Sequence, residues 1–176
     1  MNKIVKRILI SIITISIIFS GIYLFLSLNN FNPNKPCAFC NPKVIKTHTF
    51  YEDEYVIGMC SHRQVKPWHC LVVTKRHIKR FEDISDKELL ASNKLLKKIN
   101  IAVQKIMGPA SYIILEKNGT GLQSVPHIHF HYIPEKDTNS QFISLGYLWD
   151  FFTYIFKKPM STEKLSEYVD QMKAII

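Results

Sequence analysis

The chain has 176 residues, a length typical of one domain and too short for a large multidomain assembly. Hydrophobic residues make up 47% of it and charged residues 21%, a composition that excludes a disordered chain. Its formal net charge of +9 favours anionic partners such as phosphorylated small molecules, nucleic acid or acidic lipid.

The N-terminal part predicts a membrane anchor. Residues 8–28 carry no charge, and a helix of this length rises about 31 Å, which matches the hydrocarbon core of a bilayer. A cleaved secretory signal is the alternative, but its apolar region is shorter and ends at small residues, which this segment lacks. The basic flank at residues 1–7 favours a cytoplasmic N-terminus and a domain outside. Asn and Pro in residues 29–36 indicate a short linker.

The remaining residues, 37–176, predict one domain with short strands. Segments rich in β-branched and aromatic residues are separated by polar or Pro-containing breaks, which is typical of an antiparallel sheet. The predicted strands are residues 47–52, 55–61, 68–75, 110–115 and 127–133.

Two helices are predicted from their caps and from apolar residues at spacings of three and four. Ser85 and Glu88 have the spacing of a capping box, and the apolar pattern that follows ends at Gly108. Ser161 caps a last amphipathic helix. The aromatic segment 142–156 stays open, because it suits a strand and turn, a buried helix or an interfacial segment.

Three histidines alternate with apolar residues in the last predicted strand. Because side chains alternate along a strand, His127, His129 and His131 share one face, while the residues between them enter the core. Three interpretations fit this face: an exposed strand rich in His, a three-histidine metal centre, or an imidazole that acts as a nucleophile toward phosphorus.

The four cysteines are too few for a disulfide-stapled scaffold. Cys37 and Cys40 form a CxxC pair, but the strand and helix that flank a thioredoxin-type redox motif are missing around it. Structural zinc is favoured over a free dithiol and needs two further ligands. Cys60 and Cys70 fall inside predicted strands, which favours core packing.

Together these motifs resemble the histidine-triad (HIT) superfamily, and in particular its bacterial zinc-bearing members. The segments that carry the resemblance stand in family order within residues 36–134: Cys37-Ala38-Phe39-Cys40, Tyr51-Glu52-Asp53-Glu54-Tyr55-Val56, His69 to His77, and Gln123-Ser124-Val125 before the three-His strand. The predicted anchor lies outside the resemblance.

The resemblance implies an α+β fold with an antiparallel sheet of about five strands and two main helices. The apolar segment 8–28 adds one transmembrane helix before this fold. It implies a hydrolase or nucleotidyltransferase that acts at the α-phosphorus of a nucleotide-like substrate, through a covalent intermediate on His129. It also implies phosphate contacts from His131, Ser124 and Gln123. The usual assembly of the family is a dimer, and no nucleic-acid partner is expected.

The resemblance also implies a structural zinc ion. In zinc-bearing members of the family two histidines complete the site that the CxxC pair begins. The matching ligands are Cys37, Cys40, His77 and His127. Such a closed site would tie the three-His strand to the N-terminal segment of the domain.

Four residues depart from the family pattern. Ser61 stands where nucleotide-binding members carry the acidic residue that holds the ribose hydroxyls, and Lys117 stands where members often have a substrate-contacting Asn. Trp68 and Leu122 each replace a Gly. A second hypothesis is therefore a membrane-anchored, zinc-stabilised binding or adaptor domain with little or no turnover. A third is a hydrolase with catalytic zinc on the three histidines.

Overall fold

The computed structural model describes residues 2–28, 36–119, 122–137, 143–154 and 156–176. The chain divides into two compact units, Met1–Asn34 and Lys35–Ile176. Its helices and strands, in chain order, are α1 Lys3–Leu28, α2 Pro42–His48, β1 Thr49–Glu52, β2 Val56–Cys60, β3 Cys70–Thr74, α3 Asp86–Met107, β4 Ala110–Glu116, β5 His129–Lys136, α4 Ile143–Tyr154 and α5 Thr162–Ile175. Short 3-10 turns lie at Ala38–Cys40 and Phe81–Asp83.

Helix α1 contains the apolar segment predicted at residues 8–28 and begins before it, at Lys3. Its window Lys3–Gly21 has a mean hydropathy of 1.9 and is long and apolar enough to cross a membrane. A secretory signal near an N-terminus meets the same criterion. Most of the predicted linker, residues 29–35, lies outside the described residues.

The second unit has the α+β fold that the sequence predicts. Its five strands form one antiparallel sheet in the order β1-β2-β3-β5-β4. Strand β5 therefore lies between two partners, and β4 lies at the edge. Strand β5 carries His129 and His131, two of the three histidines that the sequence places close together.

Helix α2 was not predicted. The strand predicted at 47–52 therefore begins only at Thr49. Asn41 caps the helix by accepting from the amide of Lys43, and Pro42 occupies the first turn, where its missing N–H costs nothing. Thr47, the β-branched residue at the start of the predicted strand, thus belongs to the last turn of this helix.

Strand β5 also begins later than predicted, at His129 rather than at His127, and it continues to Lys136. The proline within it is tolerated because of where the neighbouring strand ends. Strand β3 pairs with β5 only as far as Tyr132, so Pro134 lies beyond that partner and its missing N–H leaves no gap in the ladder.

The sheet is covered on both faces. On one face it packs against α3 and α5, through a core that includes Val72, Phe130, Tyr132, Leu95, Ile99 and Val169. On the other face, Leu71 and Val73 contact α2 and the segment before it, and Ile133 contacts α4. His129 and His131 lie on this second face, opposite Val73 and Leu71 in the register.

Helices α3 and α5 have the caps that the sequence predicts. The Ser85 side chain accepts from the amide of Glu88, and the Glu88 carboxylate accepts from the amide of Ser85. Gly108 ends α3 with a φ of 84°, a conformation that favours glycine. Ser161 caps α5 by accepting from the amide of Lys164.

The segment 142–156 is helical over Ile143–Tyr154, which excludes the strand-and-turn interpretation for those residues. Phe142 and Ile155 lie outside the described residues. The helix is only partly buried. One side packs on the sheet through Tyr147, whereas the opposite side exposes large apolar residues.

Candidate active site and metal centre

Two cysteines and two histidines from three separate segments converge. Cys37 directly precedes the 3-10 turn that Cys40 ends, His77 follows β3, and His127 precedes β5. The Cys40 Sγ lies 3.2 Å from Nδ1 of His77, and the Cys37 Sγ lies 3.3 Å from Nδ1 of His127. All four ligand atoms lie within 4.8 Å of one another. The structure thus brings together the four residues that the sequence analysis named as metal ligands.

Hydrogen bonds orient the two imidazoles toward the sulfur atoms. His127 Nε2 lies 2.7 Å from the carbonyl oxygen of Thr74, and His77 Nε2 lies 3.0 Å from the carbonyl oxygen of Pro126. A carbonyl oxygen only accepts, so each Nε2 carries the proton and each Nδ1 lone pair faces the cysteines. Metal-ligating histidines usually donate their second N–H in this way.

The spacing of the ligand atoms fits a tetrahedral ion. Zinc bonds of about 2.3 Å to sulfur and about 2.0 Å to nitrogen separate the two ligand types by about 3.5 Å. Three of the four S–N separations are 3.2, 3.3 and 3.6 Å, and the fourth is within 4.8 Å. Burial and the adjacent Cys37 raise the pKa of Cys40 to about 11. A bound divalent cation would reverse that effect, because it stabilises the thiolate. These residues could therefore hold a metal ion.

His129 lies beside this cluster. Its side chain is 3% exposed, and its ring packs against Phe39 with 4.9 Å between the ring centroids. Its Nδ1 lies 2.6 Å from the carbonyl oxygen of His127. That oxygen can only accept, so the proton is on Nδ1 and the lone pair is on Nε2. A neutral imidazole in this tautomer can attack an electrophile.

A second chain of hydrogen bonds sets the tautomer of His131. The amide of Val65 donates to Nδ1 of His69 at 3.3 Å, so His69 carries its proton on Nε2. This N–H donates to Nδ1 of His131 at 2.9 Å, which leaves the His131 proton on Nε2. Among the described residues, that buried Nε2 has no partner. A buried N–H without a partner is costly, so this group is available to donate to a ligand or to a water molecule.

His69 is a site residue for which the sequence predicts no functional role. A signal was nevertheless present in the strand pattern. Leu71 lies opposite His131, and residues two apart in a strand share a face, so His69 points to the same side of the sheet as the triad. The missing information was the register between β3 and β5, which depends on tertiary pairing.

Burial keeps these imidazoles neutral. It lowers the pKa of His69 to about 3 and that of His131 to about 2, and it lowers the pKa of His129 below its usual value. The positive charge of Lys117 further lowers the pKa of each of these three histidines. Lys117 follows β4, in which Leu115 lies opposite His131, so the continued register places Lys117 opposite His129.

Two further predicted phosphate contacts lie in the loop before β5. Gln123 is 4% exposed, and its side-chain Nε2 has no partner in the part of the chain that the structure describes. This amide is therefore an unused buried donor, as is the His131 imidazole. Ser124 is exposed at the next position.

Two departures from the family pattern have structural consequences. The buried hydroxyl of Ser61 donates to the carbonyl oxygen of Arg63 at 2.8 Å, so it is occupied within the chain. Trp68, at a position where the resemblance predicts a Gly, has a φ of 65°, in the region that favours glycine. Its indole stacks on Tyr168 with 4.0 Å between ring centroids.

The three triad histidines do not share a common point for a metal. His127 directs Nδ1 toward Cys37, whereas His129 directs Nδ1 toward a backbone carbonyl. Across the described residues, the group with metal-binding geometry is the Cys2His2 cluster. The structure therefore does not support a three-histidine metal centre.

A family model for the HIT domain matches residues 42–138. The chain belongs to the HIT domain family. An uncharacterized HIT-like protein of Methanocaldococcus jannaschii is 35% identical over 115 residues, which cover 62% of this chain and 87% of that protein. The adenosine 5'-monophosphoramidase of Saccharomyces cerevisiae is 30% identical over 112 residues, which cover 61% of this chain and 67% of that protein.

The same fold occurs in solved HIT structures. A HIT-like protein from Bartonella henselae superposes with a TM-score of 0.60 and 24% sequence identity. The match covers 83% of this chain and 99% of that one. The five-stranded sheet with its helices is thus the HIT arrangement.

Proposed function

We propose that the chain is a membrane-anchored HIT-type hydrolase or nucleotidyltransferase that acts at the α-phosphorus of a nucleotide-like substrate. The observation that carries the proposal is the lone pair on Nε2 of His129 beside the unused N–H of His131. The first group is a nucleophile and the second is a donor to a developing anion, the two groups that displacement at phosphorus requires. The name of the yeast relative supports nucleoside monophosphate derivatives as substrates.

The reaction divides into two displacements at phosphorus. In the first, the Nε2 lone pair of His129 bonds to the α-phosphorus, and the leaving group departs with its electron pair and takes a proton from water. The ring is then positively charged, and the carbonyl of His127 stabilises it by accepting its Nδ1–H. In the second, water or another acceptor attacks the same phosphorus, loses a proton and restores the Nε2 lone pair.

Donors around His129 stabilise the negative charge on the phosphoryl oxygens. His131 Nε2 and Gln123 Nε2 are buried donors without partners among the described residues. Ser124 adds a hydroxyl, and Lys117 adds positive charge on the same face of the sheet. Such preorganised groups favour the transition state over the ground state because charge builds up during the displacement.

We further propose that the Cys2His2 cluster holds one structural zinc ion. The ligands are Cys37, Cys40, His77 and His127. With four protein ligands the coordination sphere is closed, so the ion supplies folding free energy rather than an open catalytic position. It would fix His127 two residues before the nucleophile.

The open edge of β4 supports the homodimer that the resemblance implies. Within the part of the chain that the structure describes, this strand pairs with β5 on one side only, and its Tyr112 and Ile114 are partly exposed. An edge strand has unpaired backbone groups that a second copy can meet.

We assign residues 1–7 to a basic flank, 8–28 to a transmembrane helix, 29–36 to a linker and 37–176 to the HIT domain. The apolar composition of α1 supports the anchor. Three basic residues precede the apolar segment closely, which favours retention of the N-terminus in the cytoplasm. The domain is then extracytoplasmic.

This orientation is testable by protease accessibility. In a bacterial host, protease added to intact spheroplasts is expected to digest the HIT domain and to leave a cytoplasmic control protein whole. An immunoblot against a C-terminal tag measures the digestion. Full protection before lysis, followed by digestion after lysis, would reverse the orientation.

The proposed chemistry is tested by trapping the intermediate. The full chain in detergent is mixed with adenosine 5'-phosphoramidate, quenched rapidly in alkali, in which phosphohistidine is stable, and analysed by mass spectrometry. We expect a covalent nucleotidyl group on His129, located by peptide fragmentation. Turnover without this adduct would contradict the covalent mechanism.

A binding or adaptor domain is the second candidate, and one observation favours it. Ser61 replaces a ribose-binding carboxylate, and its hydroxyl is already bonded to the backbone. In the same trapping experiment this candidate predicts neither adduct nor product.

A further inference from the structure

Polar contacts fix one side of helix α4 to the domain. The hydroxyl of Tyr147 donates to the carbonyl oxygen of Ile133 at 3.1 Å. Asp150, one turn later, accepts from Lys157 at 2.8 Å and pairs with Lys66 at 2.5 Å. These contacts lie on the same side of the helix, since residues three apart are neighbours on its surface. They set its rotation about its own axis.

The opposite side of α4 exposes an apolar cluster. Leu148, Trp149 and Phe152 are 66%, 67% and 62% exposed, and the rings of the last two lie 6.3 Å apart. They cannot turn inward without breaking the contacts of Tyr147 and Asp150. Exposed large side chains gathered on one helix face are typical of a binding surface. We name Leu148, Trp149 and Phe152 the α4 apolar face.

We propose that the α4 apolar face inserts into the headgroup region of the membrane in which the chain is anchored. The inference rests on the proposed anchor. The linker at 29–36 spans at most about 30 Å even when fully extended. The domain therefore stays close to the bilayer, and this tether raises the local concentration of lipid around every exposed apolar surface.

Side-chain chemistry favours lipid over a second copy of the chain. Trp149 has an amphipathic ring of the kind that is enriched at membrane–water interfaces. Lys158 is exposed just after α4 and suits anionic headgroups. The edge of β4 offers copies of the chain a separate surface.

The two tryptophans of the chain make the test direct. The full chain is reconstituted in vesicles of phosphatidylcholine and phosphatidylglycerol, with and without bromine on the acyl chains. We expect brominated lipid to quench the fluorescence of Trp149 but not that of Trp68, because Trp68 is buried and stacked on Tyr168. The variant Trp149→Phe is the matched control, since its remaining fluorescence comes from Trp68 and should resist bromine.

Each other result overturns the inference in a recognisable way. If the chain floats with the vesicles but iodide in the buffer quenches Trp149 and bromine does not, the face lies in water and the anchor stands. If neither reagent reaches Trp149, the face is covered by protein, which favours a second copy. A chain that does not float with vesicles removes the anchor and this inference together. Turnover at His129 is measured separately and is unaffected by any of these results.

Discussion

Replacing His129 with Ala is expected to abolish turnover of a nucleoside phosphoramidate. Removing a nucleophile that forms a covalent intermediate costs on the order of 10⁴-fold or more in kcat. The ring is buried against Phe39, so a second variant, His129→Asn, keeps more of its volume and separates lost chemistry from lost packing. Steady-state hydrolysis, zinc content and thermal unfolding are measured on both variants.

Two other histidines are the controls. His131→Asn removes a donor and not the nucleophile, so a loss of about 10²- to 10³-fold is expected. His62 lies outside the site, where its ring is 5.5 Å from that of His48, and His62→Asn should keep wild-type activity. If His129→Ala retained more than about a hundredth of wild-type kcat, the covalent mechanism would be wrong.

Replacing Cys40 with Ser is expected to remove the metal and to destabilise the domain. The wild type should contain about one zinc per chain by elemental analysis, and the variant much less, because a neutral hydroxyl is a poor ligand beside three strong ones. Structural zinc contributes on the order of 10 kcal/mol of binding free energy in small domains at neutral pH. Loss of part of this binding free energy should lower the Tm of the variant. A chelator should lower the Tm of the wild type for the same reason.

The control is a thiol that belongs to the core. Cys60 is buried in β2 on the face toward α3 and α5. Cys60→Ala should lower the Tm through lost packing but keep its zinc. Equal zinc in the wild type and in Cys40→Ser would contradict the proposed ligand set.

Local patterns in the sequence are sufficient to predict a large part of this fold. The Ser85 capping box, the end of α3 at Gly108 and the cap at Ser161 depend on neighbouring residues only, so they can be read from spacing. The common face of His129 and His131 follows from the two-residue period of a strand. The grouping of His77 and His127 with the cysteines came from the family resemblance, because no spacing rule joins residues this far apart.

Features that depend on tertiary contacts could not be predicted. Helix α2 is a different case, because Asn41 and Pro42 are local signals of a helix start that the prediction did not use, and the last two residues of the helix were assigned to the strand that follows. The direction of α4 depends on Asp150 meeting Lys66, which lies far away in the chain. The proton positions on His69 and His131 depend on hydrogen bonds between separate strands, and no sequence pattern contains them.

His127 links the two sites through different atoms. Its side chain turns Nδ1 toward Cys37, while its backbone carbonyl accepts the Nδ1–H that leaves Nε2 of His129 free. The cysteines therefore contact only the ring of His127, whereas His129 depends on the path of the backbone at that residue. A substitution of the His127 side chain would remove a metal ligand directly, but it would reach the nucleophile only through a shift of this carbonyl.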